Sequence, residues 1–94
     1  MIKVIAKSIV KENEIQNYLE CVKIMVAETR KEEGCIVYEL YQDINNDKIF
    51  TIIEEWESID ALDLHKKSKH MSEIIPKINL YRESVEVIIF KKVI

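Results

Sequence analysis

The stretch EEWESIDALDLHKKSKHM, residues 54–71, holds the single tryptophan and both histidines of the chain, Trp56, His65 and His70. An imidazole titrates near pKa ~6.5, so it can take up or return a proton at neutral pH. An indole offers a broad apolar wall with one N–H donor. Together these groups could bind an aromatic molecule and move a proton on it. On one straight helix, side chains five positions apart point about 140° away from each other. His65 and His70 therefore share a pocket only if the helix bends between them, and Ser68, a preferred N-cap type, supplies a break there. The i, i+4 spacing of a zinc-binding histidine pair is missing, so no metal is expected. Each residue also has a plainer reading. Trp56 serves equally as a core anchor, His65 as a helix-face residue packed at the sheet edge, and His70 as a solvated side chain.

Other groups with chemistry are scattered. Tyr18, Tyr38, Tyr41 and Tyr81 are spread over helix and strand positions, either as core tyrosines or as pocket lining. Arg82 and Glu86 read as a cross-strand ion-pair set on one strand face. Cys21 and Cys35 have neither CxxC nor metal-ligand spacing and read as small buried hydrophobes.

Elements that could position these groups follow from hydrophobic period. Residues 2–9 (IKVIAKSI) are β-branched and loosely alternating, a strand. Residues 14–32 switch to three- and four-residue steps through Ile15, Tyr18, Leu19, Val22, Met25, Val26 and Thr29, one face of a helix. Asn13 is its expected N-cap, and Gly34 the left-handed residue past its end. Residues 35–42 and 48–56 read as a hairpin about the turn DINNDK. Ser58 caps a helix over about 59–67, with Asp60 in its first turn. Ser68 opens another short helix, which Pro76 ends or kinks. Residues 80–92 form a long last strand. The order β-α-β-β-α-β, with right-handed crossovers, predicts an α+β fold: a ferredoxin-like antiparallel sheet of four strands with the helices on one face.

That layout leaves one sheet face to explain. Phe50, Ile52 and Trp56 oppose Ile49 and Ile53; Val85, Val87 and Ile89 oppose Ile88 and Phe90; Ile36, Tyr38 and Leu40 oppose Val37 and Tyr41. Helices cover only one of these faces, and a bare apolar face of that size is not expected on a soluble monomer. A homodimer joined sheet to sheet is predicted.

Composition sets the outer limits. A chain of 94 residues makes a single domain with a thin core, burying about two-thirds of its unfolded surface. One Gly and one Pro leave no room for a long flexible linker. The net charge is −3 with Lys and Arg dispersed, which argues against nucleic acid as a partner. A lysine recurs about every fourth residue in MIKVIAKSIVK, which breaks any signal-peptide core, and no apolar run is long enough to span a bilayer. A cytoplasmic protein with no membrane partner is expected, and in that reducing compartment no disulfide.

Two stretches carry a resemblance. KEEGCIVYEL (31–40) and the 54–71 segment resemble the antibiotic biosynthesis monooxygenase domain, especially its small quinol monooxygenase-like members. The pattern is E-E-G-C at the start of the second strand, then E-x-W-x-S, a Leu, and H-x-x-S-x-H-M. The resemblance implies that residues 1–94 form one such domain, a dimeric α+β barrel with a pocket between helices and sheet. It implies oxidation of a small phenolic or quinol-like aromatic by molecular oxygen with no cofactor, that is, no metal, haem or flavin. Trp56, His65 and His70 are the positions that match. His65 is the expected base, His70 the donor to a developing oxyanion or peroxide, and Trp56 a wall on the substrate. Tyr38, Tyr41, Met71 and Arg82 are further candidates for the pocket lining. Haem-degrading relatives use an Asn on the first strand, where this chain offers Ala6, Lys7 and Ser8. A related branch isomerises a phosphorylated autoinducer breakdown product, for which Lys7, Lys66, Lys67 and Arg82 would supply positive charge. A non-catalytic, ligand-binding dimer of the same fold is the third alternative.

Overall fold

The computed structural model describes all 94 residues. Four strands form an antiparallel sheet in the order β2-β3-β1-β4: β1 Ile2–Val10, β2 Cys35–Gln42, β3 Ile49–Trp56 and β4 Arg82–Lys91. Helix α1 (Ile15–Thr29) joins β1 to β2, and helices α2 (Ile59–Lys66) and α3 (Lys69–Tyr81) join β3 to β4. This is the expected α+β ferredoxin-like sheet. The alternation in β3 is strict: Phe50, Ile52, Glu54 and Trp56 are buried, and the residues between them are half-buried. The buried set faces the helices, because Tyr18, Val22, Met25, Leu62, Ile74 and Ile78 close over it in one core. No helix is long and apolar enough to cross a membrane.

Several boundaries differ from the periodicity. Asn13 does not cap α1. A 3-10 turn at Glu12–Glu14 absorbs it, and α1 starts after Glu14 without a side-chain cap. The helix ends at Thr29, so Gly34 is not its C-cap. Gly34 instead turns the chain into β2 at φ +87°, where a Cβ would stand 2.6 Å from that of Ala61. Both its backbone conformation and its close approach to α2 require glycine. Pro76 does not end α3, which runs five residues further to Tyr81. Ser58 does cap α2, accepting from the Ala61 N–H at 3.1 Å. Cys21 and Cys35 are unpaired and packed against the core.

The expected Arg82–Glu86 pair does not form. The β1–β4 register shifts between Ile9 and Val10, so Ile9 lies opposite Ser84 but Val10 opposite Arg82. That irregularity turns Arg82 toward Ser8 and Asn79, while Glu86 sits across from Lys7.

Candidate active site

A cavity of about 200 Å³ lies between the helical layer and the sheet. Val4, Ala6 and Ile52 form its floor, and Val85, Val87 and Ile89 of β4 one side. Met25, Leu62, Met71 and Ile75 close it from the helices. Five polar side chains reach this mostly apolar space: Tyr38, Glu54, His65, Lys66 and Arg82.

His65 stands near the end of α2 and is buried. Its ring packs on Trp56, centroids 4.7 Å apart, and meets Tyr38 edge-on at 5.4 Å. Nδ1 lies 2.7 Å from Oε2 of Glu32, in the turn between α1 and β2. A carboxylate only accepts, so Nδ1 carries the proton and donates it. The neutral ring then keeps its lone pair on Nε2, to which no protein group is bonded. Burial pushes the His65 pKa below the usual imidazole value, against the upward pull of the Glu32 hydrogen bond and charge. The result is an oriented base held neutral on the wall of an apolar cavity.

The bend that the two histidines needed is present. Between α2 and α3, the Ser68 hydroxyl donates to the His65 carbonyl at 2.7 Å, satisfying a group left open at the helix end. The break brings the two imidazoles to 6.0 Å between centroids. His70 lies behind His65 rather than on the cavity wall. Its Nε2 is 3.1 Å from Thr29 Oγ1, 3.3 Å from Glu32 Oε2 and 3.4 Å from Ser68 Oγ. Glu32 thus faces both histidines through one oxygen. One donor atom each from Glu32, His65 and His70 lies within 4.8 Å of the others, a set able to hold a late transition metal. The 2.7 and 3.3 Å separations are equally those of hydrogen bonds.

Trp56 is fully buried and reaches the site through its neighbours. Its indole N–H donates to Glu54 Oε1 at 2.9 Å, while its ring supports His65. Burial raises the pKa of the Glu54 carboxyl, and the indole hydrogen bond opposes that rise. Burial likewise pushes the Tyr38 phenol far above its ordinary range, so it stays protonated on the wall. Of the residues singled out from sequence, the structure brings Tyr38, His65, Met71 and Arg82 to the cavity. It places Trp56 and His70 behind that wall. Tyr41 is exposed, its hydroxyl donating to Glu39 at 3.1 Å, and does not reach the cavity. The strand alternation explains this: Tyr38 and Tyr41 are an odd number of positions apart and lie on opposite sheet faces. Glu32 and Glu54 escaped the sequence reading as site residues. The E-E-G-C pattern, which contains Glu32, was the signal for the first.

The fold and this site define a class of small α+β domain with a histidine-bearing apolar pocket under a helical layer. The family model described as antibiotic biosynthesis monooxygenase matches residues 1–77, and the chain belongs to that family. A Methanosarcina mazei Go1 protein of known crystal structure is 39% identical, with a TM-score of 0.95 over 97% of this chain and 91% of that one. A crystal structure of an antibiotic biosynthesis monooxygenase is 33% identical, with a TM-score of 0.94 over 99% of both chains. The Synechocystis protein sll1783 is 30% identical over 83 residues, 87% of this chain. The chain spans only 56% of that relative's length.

Proposed function

We propose that this chain is a cofactor-independent monooxygenase acting on a small phenolic or quinol-like aromatic, with molecular oxygen as co-substrate. The observation that carries this reading is His65: a neutral imidazole, oriented by Glu32, with its free Nε2 on the wall of an apolar cavity. Nε2 takes a phenolic proton, and the electron-rich phenolate passes an electron to O2. The two radicals combine as a peroxide on the ring carbon. The imidazolium then protonates the outer peroxide oxygen. The ring carbon loses its C–H proton as the O–O bond breaks, so the inner oxygen stays as a carbonyl and the departing hydroxide takes up that proton and leaves as water. Glu32 holds the required tautomer and steadies the charged ring. His70 acts through Glu32 in this scheme, not as a donor on the substrate. Tyr38 and Met71 shape the wall, and the apolar lining excludes water from the peroxide. Oxygen uptake with a panel of simple quinols tests the reading. Uptake above the uncatalysed rate that His65→Ala abolishes supports it; equal rates with and without the protein end it.

The bare sheet face supports a homodimer as the working form. Ile88 and Phe90 are 43% and 42% exposed there, beside half-buried Ile5 and Ile53 on the same face. Light scattering at micromolar concentration tests this; a monomer mass refutes it.

Lys66 and Arg82 on the cavity wall favour a second reading, isomerisation of a small phosphorylated carbonyl compound. A non-catalytic ligand-binding dimer would bind quinols without consuming oxygen.

A further inference from the structure

Arg82 is a cation facing the cavity with no anion of its own. It opens β4 directly after α3 and is half-buried. Nε and one terminal nitrogen both donate to Asn79 Oδ1, at 2.9 and 2.6 Å. The other terminal nitrogen donates to Ser8 Oγ at 3.2 Å. Every one of these acceptors is neutral. None of the four ion pairs in the molecule includes Arg82. A guanidinium has five N–H donors, so three bonds leave two unused. Asn79 and Ser8 hold the group through all three of its nitrogens, which restrains the plane of the guanidinium.

A half-buried charge without a counter-ion is costly, and proteins usually pair it. The one carboxylate on the cavity wall is engaged elsewhere, because Glu54 accepts from the Trp56 indole. The remaining wall near β4 is Val85, Val87 and Ile89, which offer nothing to a cation. Lys66 adds a second positive group to the lining. The cavity therefore has an unmatched positive charge, and its volume of about 200 Å³ suits a molecule of one or two rings.

We propose that the substrate is an anionic aromatic: a one- or two-ring phenol or quinol bearing a carboxylate or similar acidic group, bound by Arg82. This rests on the oxygenase reading for the phenol and extends it by the acid. Arg82 fixes which way round the molecule enters, with its acidic group on the guanidinium and a hydroxyl left for His65. Planar two-point contact with a carboxylate is the geometry that arginine provides and lysine does not.

Calorimetric titration with a matched probe pair, a naphthol and its hydroxynaphthoate analogue, tests the proposal. The wild-type protein should bind the hydroxynaphthoate about tenfold or more tighter than the naphthol, the scale of one charge-assisted hydrogen bond. Arg82→Met should bring the two affinities together by weakening the acid alone, and Arg82→Lys should keep only part of the preference. Equal affinity for both probes in the wild type, or no binding of the acid at millimolar concentration, overturns the proposal whatever the variants do. A preference that survives Arg82→Met in a variant with an unchanged circular dichroism spectrum also overturns it. Oxygen uptake reports separately. Charge preference without turnover of any quinol removes the oxygenase reading and leaves the anion site; turnover without charge preference does the reverse.

Discussion

The two sides of the cavity are built on opposite terms. On the β2–β3 side, Tyr38, Glu54, Trp56 and His65 are all buried, and every polar atom there has a partner or opens to the cavity. On the β4 side, every residue from Glu83 to Lys91 is exposed, although Val85, Val87 and Ile89 still form the wall. The helical layer explains the asymmetry: α1 packs on β2 and α3, leaving β4 as an edge strand held chiefly by β1. The difference teaches where precision and adaptability sit. A base must be held to a fraction of an ångström and needs a packed shell behind it. A wall that admits substrate can be looser, and here the open strand begins with Arg82, a half-buried cation in no ion pair.

The contrast breaks first at His65. In quinol oxidation His65→Ala should lower turnover by about a hundred- to ten-thousandfold, the range for general-base catalysis. Glu32→Gln should lose less than that and keep substrate affinity, since it disturbs the ring's tautomer and not the wall. Steady-state oxygen uptake measures both, and an unaffected His65→Ala would place the chemistry elsewhere. Trp56→Ala should cost about 3–5 kcal/mol of stability as a core cavity, whereas Val87→Ala on the open side should cost below about 1 kcal/mol. Urea denaturation of the two variants checks the comparison, and similar losses would erase it. Gly34→Ala should cost about 1–3 kcal/mol from its left-handed backbone and the Ala61 contact. Removing the α2 cap with Ser58→Ala should cost about 1 kcal/mol.

The smallest effect is on pH dependence. His65 has its pKa lowered in the fold, chiefly by burial, with Glu32, His70 and Lys66 as its charged neighbours and Tyr38 and Glu54 sharing its cavity wall. The unfolded chain then binds the proton more readily than the folded one. This group's contribution to stability is complete above the unfolded value of about 6.5 and is lost as pH falls through the lowered value. His65→Gln should flatten the fall in stability on the acid side of pH 6.5, read from melting temperatures across buffers. An unchanged slope would mean that His65 takes up its proton alike in the folded and unfolded chain, and that burial does not hold it neutral.

What was legible in sequence divides along similar lines. Strand faces in β3 were readable because period two is a local property, and Phe50, Ile52 and Trp56 fall where alternation puts them. The break between His65 and His70 was readable because Ser68 is a local stop signal. Glu32 was not readable as a partner of His65, since the contact joins residues 33 positions apart through a turn with no period of its own. Arg82 was misassigned to an ion pair because one register shift beside Val10 re-aims it, and sequence spacing assumes an unbroken ladder. Pro76 was read as a stop or a kink; it is not a stop, because core contacts of Ile74 and Ile78 hold α3 together on both sides of it.

Trp56 has a practical consequence. It is the only indole in the chain, and its ring centroid lies 4.7 Å from that of His65. Imidazolium quenches indole emission at contact, while neutral imidazole does so far less. Light emitted under selective excitation therefore comes from one buried position and brightens or dims with the charge on the neighbouring ring. The molecule carries its own optical gauge, readable in a cuvette without a label.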